Sequence, residues 1–466
     1  MNGTLIALLA YVVLITVVGL AIGRRVSGTS EFFVAGRSMG PGLLFATLLA
    51  ANIGAGSTVG AASLGYRDGI AAWWWVGSAG VGTLVLAGWL GPRLWRIAKD
   101  EGLLTVGDYL EHRYGPSVRA TVALLLWFVT LASLAGQLIA MAKILEVVAG
   151  APEWLGAVAG GVVMMVYFVA GGLLSSAWVN LVQLVVLLAG FALAVPLAVA
   201  GAGGLDAILQ VPAGSPDYLD FWSSGGSGWP LVFIVAPAFV VSPGILQKTF
   251  GGVDEAAVRK GVAVCGLVLL VFAFLPPALG MAARVVAPGL ENADLALPTV
   301  LLQAVPPAIG LLGLAAVLSA EISSADAILF MLATSLSKDL YKRFVNPEAS
   351  DERVLQVARL AAVVGGGLAV ALAVALSSVI QALTVFYALL GVSLFVPVVA
   401  GIYTRRPGVP EALAAVGAGV SALVVSALVP GGPLVPGLPP VALGLILSAL
   451  AYGTWALARA RFLGRP

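Results

Sequence analysis

Long apolar segments, separated by short polar ones, follow one another along the whole chain of 466 residues. Most of them reach the roughly 20 residues that an α-helix needs to cross the hydrocarbon core of a bilayer. Thirteen such segments predict helices 0 to 12, at about residues 4–23, 41–62, 71–96, 118–149, 154–171, 177–200, 229–248, 259–284, 309–336, 355–376, 379–402, 410–429 and 440–459. The pattern predicts an all-α polytopic membrane protein.

The composition supports a membrane protein and excludes several other classes. Hydrophobic residues make up 60% of the chain and charged residues 10%, against about 45–50% and about 25% in soluble domains. A single cysteine excludes a disulfide scaffold, and with a single histidine it leaves little for a metal centre or an enzyme active site. We therefore expect that the protein lies in the lipid bilayer and that it is not an enzyme. We also expect that it binds no nucleic acid and has no obligate protein partner.

The basic residues divide unequally between alternate loops. Cytoplasmic loops of membrane proteins collect Lys and Arg, and if the N-terminus is outside, 21 of the 24 basic residues fall in inner segments. The long loop 201–228 contains none. We therefore expect a multi-pass protein of the cytoplasmic membrane, with its N-terminus outside and its C-terminus in the cytoplasm.

Two of the predicted helices are interrupted in mid-span. Helix 1 carries small residues from Ala50 to Thr58, and helix 6 carries Pro237 and the pair Pro243-Gly244. Broken helices five apart indicate a five-plus-five inverted repeat, although Gly and Pro also serve packing in membrane helices. The predicted units are an N-terminal helix and loop (1–40), the first repeat (41–200), an external loop (201–228), the second repeat (229–406) and two C-terminal helices (407–466).

Helix 8 carries the densest polar cluster of any predicted span, from Ser319 to Asp326. Ala320, Ser323 and Ser324 share one face of the helix, because they stand three and four residues apart. Two hydroxyls opposite carbonyls freed by the break in helix 1 would form an oxygen cage suited to an alkali cation. The alternative is that the hydroxyls bond back to carbonyls of their own helix.

Short motifs, taken in their order and spacing, carry a resemblance to a known family. They are residues 33–38 (FVAGRS), 50–53 (AANI), 104–109 (LTVGDY), 171–173 (GGL), 318–326 (LSAEISSAD) and 338–343 (KDLYKR). From about Ser30 to Arg406, the chain resembles the sodium/solute symporter family, whose members carry proline, pantothenate, acetate, choline, sialic acid or sugars. The resemblance implies symport by alternating access and a five-plus-five, leucine-transporter-like fold, with one extra helix before it and two after.

The resemblance also implies where the coupling ion binds. The family's shared sodium site uses carbonyls of helices 1 and 8 and two helix 8 hydroxyls, which fall here on Ala50, Ile53, Ala320, Ser323 and Ser324. Relatives with a second cation site use an Asp of helix 5 and a further hydroxyl of helix 8, and these fall on Asn180 and Ala327. We therefore expect one sodium ion per transport cycle and no cofactor besides sodium.

The solute is expected to be a monocarboxylate or an amino-acid-like zwitterion. Residues 243–248 resemble the branch that carries proline, pantothenate and short carboxylates, although Asn52 stands where proline carriers have Asp. The amides and positive dipole ends of broken helices suit a carboxylate. The expected walls of the binding site are Asn52, Gly56, Ser57, Gln137, Ser242 and Tyr387.

Two alternatives with the same fold stay open. The first is a proton-coupled carrier in which Glu321 or Asp326 takes up the proton. Burying an acidic side chain in a membrane is costly, so such a residue usually has a function. The second is a sodium/sugar symporter. Sugar carriers have a Glu in helix 2 where this chain has Val76, which argues against that alternative. Residues 73–75 (WWW) are expected to form an interfacial aromatic belt rather than a wall of the site.

Overall fold

The computed structural model describes residues 3–23, 35–170, 173–210, 217–376, 378–405, 407–429 and 434–462. Every regular element in these ranges is a helix, and their β pairing is a single bridge between Met39 and Gly252. Ten helical segments of this part of the chain are long and apolar enough to cross a membrane, and four more are apolar but shorter. Some residues of the sequence analysis lie outside the described ranges: Ser30, Phe33, Val34, Gly171, Gly172 and Arg406, together with three of the basic residues counted in inner segments, Arg24, Arg25 and Arg465.

The observed helices lie close to the predicted spans. Their bounds, from helix 0 to helix 5, are Gly3–Gly23; Pro41–Asn52 and Val59–Asp68; Trp73–Val85 continued by Leu86–Leu90 and Gly91–Asp100; Pro116–Ala149; Glu153–Ala170; and Leu173–Gly201. From helix 6 to helix 12 they are Val232–Val241 and Pro243–Phe250; Glu255–Phe272 and Leu275–Val286; Pro307–Thr334 continued by Ser335–Val345; Asp351–Ala375; Val379–Tyr403; Val409–Leu428; and Pro440–Phe462. Three loop helices escaped prediction because they are short: Val106–Tyr114, Leu205–Leu209 and Ala296–Gln303.

Both predicted breaks are present, and they differ in form. In helix 1 the backbone becomes extended at Ile53 (φ −103°, ψ 103°) and makes a short 3₁₀ turn before the helix resumes at Val59. In helix 6 the interruption is the single residue Ser242 (φ −54°, ψ 122°), after which Pro243 starts a new helix. Proline favours this place because it lacks the N–H that an uninterrupted helix requires.

Helix 8 lies at the centre of the bundle. It packs against helices 1, 3, 5 and 9, and all of its residues from Gly313 to Asp326 are buried. Its polar residues therefore face protein on every side rather than lipid, which is the arrangement that buried polar groups in a membrane require.

Ion pairs hold the end of helix 8 that is rich in Lys and Arg against the loop helix Val106–Tyr114. The Arg119 guanidinium lies 2.9 Å from Asp108 and 2.7 Å from Asp339, and Lys338 lies 2.9 Å from Asp108. Burial would raise the pKa of Asp108, but Lys338 and Arg119 hold it below its usual value. These ion pairs fix this end of the bundle.

Candidate functional site

Two hydroxyls of helix 8 reach across to the broken end of helix 1. The Ser323 hydroxyl donates to the Ala50 carbonyl at 2.8 Å, and the Ser324 hydroxyl lies 3.0 Å from the Ile53 carbonyl oxygen. Ser323 also lies 3.1 Å from the Ala320 carbonyl of its own helix. The structure thus brings together all five residues predicted to hold sodium. The back-bonding alternative describes only part of the contacts, because Ser324 bonds to helix 1.

The break supplies the free carbonyls of this cluster. The last carbonyls of a helix have no partner within it, and helix 1 stops where Ile53 N–H bonds to the Leu49 carbonyl. Helix 8 can approach closely because the next residue is Gly54, where a Cβ would overlap the side chains of Ser324 and Gln137.

The donor set is chemically suited to an alkali cation. It consists of carbonyl and hydroxyl oxygens, which are hard ligands, and it contains no sulfur or imidazole. The described residues also contain no cluster of three or more His, Cys, Asp or Glu side chains that would hold a transition metal.

A cavity of about 60 Å³ adjoins this oxygen cluster. It lies between helices 1, 3, 6, 8 and 10. Ser324 belongs to both the oxygen cluster and the cavity wall. The six residues predicted to surround the solute all line the cavity: Asn52, Gly56, Ser57, Gln137, Ser242 and Tyr387.

Backbone and neutral side chains provide the polar groups of the cavity, and none of its described lining residues is charged. Gln137 Oε1 accepts from the Ala55 N–H at 2.8 Å, so this side chain braces the break in helix 1. At the break in helix 6, Gly244 and Ile245 stand in the first turn of a helix, where backbone N–H groups have no partner within the helix. These amides and the helix dipole favour an anionic group.

The sequence did not reveal the apolar part of the wall. It is formed by the side chains of Phe239, Ile245, Ile328, Met331 and Phe386. The sequence could have indicated two of these residues, because Ile328 and Met331 stand four and seven residues after Ser324, on the same face of helix 8. Nothing in the sequence showed which faces of helices 6 and 10 turn inward.

The prediction of an aromatic belt at residues 73–75 is wrong for Trp75. That residue is only 3% exposed, and its ring lies 5.7 Å from the ring of Tyr387, which is a wall of the cavity. Trp74 instead contacts the long loop, because its indole N–H donates to the Phe221 carbonyl at 2.8 Å.

The two acids of helix 8 and the helix 5 amide lie outside the cavity lining. Glu321 is fully buried, and its Oε1 lies 2.8 Å from the hydroxyl of Thr58 on the second half of helix 1. Asp326 is 6% exposed and Asn180 is fully buried. Sequence reasoning missed Lys248, which is 2% exposed and donates to the Thr47 hydroxyl at 3.0 Å.

Comparison with known proteins gives a consistent result. The model of the Sodium:solute symporter family matches residues 32–419. The Escherichia coli sodium/pantothenate symporter is 28% identical over 96% of this chain and 95% of its own length. The Vibrio parahaemolyticus sodium/glucose cotransporter is 26% identical over 76% of this chain and 71% of its own length.

Solved structures share the fold. A substrate-bound, outward-open Na⁺-coupled sialic acid symporter superimposes with a TM-score of 0.80 at 18% identity, covering 97% of this chain and 98% of its own. Mhp1, a nucleobase-cation-symport-1 family transporter, superimposes with a TM-score of 0.60 at 17% identity, covering 93% of this chain and 96% of its own. The resemblance inferred from short motifs is confirmed by the family match: the chain belongs to the Sodium:solute symporter family.

Proposed function

We propose that the protein is a sodium-coupled symporter that carries a small organic solute with one carboxylate, a monocarboxylate or an amino-acid-like zwitterion, into the cell by alternating access. The observation that carries the proposal is the contact of Ser323 and Ser324 with the free carbonyls of Ala50 and Ile53, at the edge of a cavity. Membership of the family supports sodium as the coupling ion.

Sodium would be held by the carbonyls of Ala50, Ile53 and Ala320 and the hydroxyls of Ser323 and Ser324. Helix 1 then contributes both to the ion site, through Ala50 and Ile53, and to the solute cavity. Binding of either ligand fixes the same broken segment, so each should raise the affinity for the other by the same factor. One sodium ion per solute follows from Asn180 and Ala327, which lack the carboxylate and hydroxyl of a second site.

A carboxylate fits the cavity better than a polyol. A sugar requires many side-chain partners for its hydroxyls, and each polar group left unpaired costs about 1–3 kcal/mol, whereas Phe239, Ile245 and Phe386 make much of this wall apolar. The backbone amides in the first turn after Pro243 could donate hydrogen bonds to a carboxylate in the cavity. Similarity to the sodium/pantothenate symporter over nearly the whole chain supports the same branch.

We also propose thirteen membrane-crossing helices, with residues 41–200 and 229–406 as inverted repeats. The two breaks, five helices apart, support the repeat. The clustering of Lys and Arg in alternate loops supports an outside N-terminus, a cytoplasmic C-terminus and a place in the cytoplasmic membrane.

Thermal stabilisation of the detergent-purified protein tests the proposal. Carboxylates, amino acids and hexoses are compared in sodium and in potassium, and the ligand that stabilises is then followed in proteoliposomes with a sodium or a proton gradient. We expect stabilisation by a carboxylate in sodium, and uptake driven by sodium at fixed pH. Stabilisation by hexoses would overturn the solute class, and equal effects in both salts, or uptake driven only by protons, would overturn sodium coupling.

A further inference from the structure

The side chain of Asn52, at the end of the first half of helix 1, is held by helix 7. Its Nδ2 donates to Cys265 Sγ at 3.5 Å. Cys265 is fully buried and lies outside the cavity lining, whereas Asn52 lines the cavity and is 6% exposed. The amide of an asparagine has a donating end and an accepting end. Because the donating end is bound to the sulfur, the accepting end, Oδ1, remains for another partner.

Two side chains at the helix 1 break offer acceptors to the cavity. No described residue donates to Asn52 Oδ1, and this atom is not sealed off within the protein. Ser57 also lines the cavity, and its hydroxyl donates to the Asn52 carbonyl oxygen at 3.0 Å. Since the proton of Ser57 is used there, its lone pairs are what it can offer to a solute. A ligand beside these two residues therefore needs a donor.

Three aromatic side chains line the same cavity. The centre of the Tyr387 ring lies 5.4 Å from that of Phe239 and 5.1 Å from that of Phe386. The faces of such rings attract a cation, most strongly where water is excluded. None of the described lining residues is charged. An ammonium group would thus be held by neutral acceptors and rings, with no side-chain carboxylate as its partner.

Donors for a carboxylate come from other helices. Gln137 of helix 3 has its Oε1 occupied by the Ala55 N–H, so its amide nitrogen is the end that can bind a solute. Gly244 and Ile245 stand in the first turn after Pro243, where backbone amides lack partners within the helix. The cavity therefore combines acceptors on helix 1 with donors on helices 3 and 6.

We propose that Cys265 is a positioning residue that sets the selectivity of the cavity. By holding the Asn52 amide nitrogen, it keeps Oδ1 available to the solute, and a solute bound there brings an N–H donor, an ammonium group, beside its carboxylate. The solute is then an amino-acid-like zwitterion and not a simple monocarboxylate. This rests on the proposed function for the carboxylate and for the coupling to sodium.

Pairs of ligands that differ only in the amino group test the selectivity. Glycine, alanine and proline are compared with acetate, propionate and cyclopentanecarboxylate for binding to the purified protein in sodium. We expect an amino acid to bind at least about tenfold more tightly than its deaminated partner, because a hydrogen bond to a charged group is lost with the amino group. Equal or tighter binding of the deaminated acids would overturn this inference and leave the proposed function standing. Failure of every carboxylate, amino acids included, would overturn both.

Variants of Cys265 test the positioning role. Cys265→Ala lets the Asn52 amide turn over, so the ratio of amino-acid affinity to deaminated-acid affinity should fall several-fold, with sodium dependence close to wild type. Cys265→Ser should keep the ratio, because a helical serine donates to its own backbone and its lone pairs can accept from Asn52. Cys265→Val gives the same comparison as the alanine variant if that variant does not fold.

Val262→Ala is the control for a general loss of packing, since Val262 is a fully buried residue of helix 7 outside the cavity lining. It should keep the wild-type ratio of affinities. An unchanged ratio in Cys265→Ala, or an equal fall in Val262→Ala, would overturn the role of Cys265.

Discussion

The breaks in helices 1 and 6 border the same cavity and present opposite chemistry to it. Helix 1 ends there with free carbonyls at Ala50 and Ile53, which face two hydroxyls of helix 8. Helix 6 instead starts anew at Pro243, so that its first turn, with Gly244 and Ile245, borders the cavity. Carbonyl oxygens attract a cation and a helix N-terminus attracts an anion. Under the proposed function, the break in helix 1 would therefore serve the cation and the break in helix 6 the carboxylate.

The two breaks are also maintained differently. Other helices hold the break in helix 1: Gln137 of helix 3 accepts from the Ala55 N–H, and Ser324 of helix 8 fills the space beside Gly54. The break in helix 6 is largely local, because Pro243 cannot donate and Leu246 N–H bonds back to the Ser242 carbonyl at 2.9 Å. Substitutions should therefore disturb helix 1 more than helix 6.

The largest difference is expected between Gly54→Ala and Gly244→Ala. The backbone at Gly54 is extended, so an alanine is not strained there, but its Cβ would overlap Ser324 and Gln137. The nearest atom to a Cβ at Gly244 is the Ala327 carbonyl oxygen at 3.8 Å, an ordinary contact. We expect Gly54→Ala to lose sodium-dependent uptake and to lower stability by about 1–3 kcal/mol, as overpacking does.

Gly244→Ala serves as the control for this change and should keep both sodium dependence and thermal stability close to wild type. Purified yield, melting temperature and uptake in proteoliposomes measure the outcome. Similar behaviour of the two variants would contradict the different origins of the breaks.

Removal of the helix 8 hydroxyls should have the next largest effect. Ser323→Ala or Ser324→Ala deletes one of few oxygen ligands, and because a hydrogen bond or ligand to a charge contributes about 1.5–3 kcal/mol, the sodium concentration for half-maximal uptake should rise roughly tenfold or more. Ser319→Ala is the control, since Ser319 is on the same helix but bonds to Tyr11 and the Ala315 carbonyl. At the other break, Ser242→Ala should leave sodium dependence unchanged. Unaltered sodium dependence in both helix 8 variants would refute the site.

Gln137→Leu should produce a moderate loss of stability. It leaves the Ala55 N–H buried without its acceptor, which costs about 1–3 kcal/mol. Gln183→Leu is a matched control in helix 5, because Gln183 is 1% exposed and neither end of its amide has a partner in the described chain. That change should be neutral or stabilising. Thermal unfolding in detergent compares the two, and an equal loss in both would show that Gln137 does not support the break.

The smallest effect is expected for Glu321→Gln beside the helix 1 break. The Thr58 hydroxyl lies 2.8 Å from Glu321 Oε1 and 2.9 Å from the Gly54 carbonyl. A glutamine amide can donate to the hydroxyl, which then donates to Gly54, so every bond is kept and sodium-dependent uptake should change by less than about twofold. Uptake that is abolished in Glu321→Gln, or that becomes insensitive to pH only there, would favour the proton-coupled alternative.

The regular elements were predictable because their signal is local. A run of about 20 apolar residues specifies a span wherever it occurs, and Pro243 or the small residues around Gly54 interrupt a helix through their own stereochemistry. The common face of Ala320, Ser323 and Ser324 on helix 8 was predictable for the same reason, since it follows from their spacing alone.

Other features depended on which helices become neighbours. Trp75 looks the same in sequence as Trp73 and Trp74, yet only its ring packs beside Tyr387, because that face of helix 2 turns towards helix 10. Met331, Gln247 and Thr334 line one small cavity because helices 6 and 8 meet there. The sequence contains no local pattern that distinguishes these contacts from ordinary packing.

By itself, the sequence determined that the chain is helical and apolar enough for a membrane, the positions of the two breaks, the distribution of charge and, through its motifs, the family. The tertiary structure decided which polar groups meet: the Gln137 amide and the Ala55 N–H are 82 residues apart in the chain, and Ser324 and the Ile53 carbonyl are 271 apart. Helical periodicity shows which side chains share a face, but the partner of that face is chosen by packing among all the helices. A buried polar group must find its partner there, because neither water nor lipid can supply one.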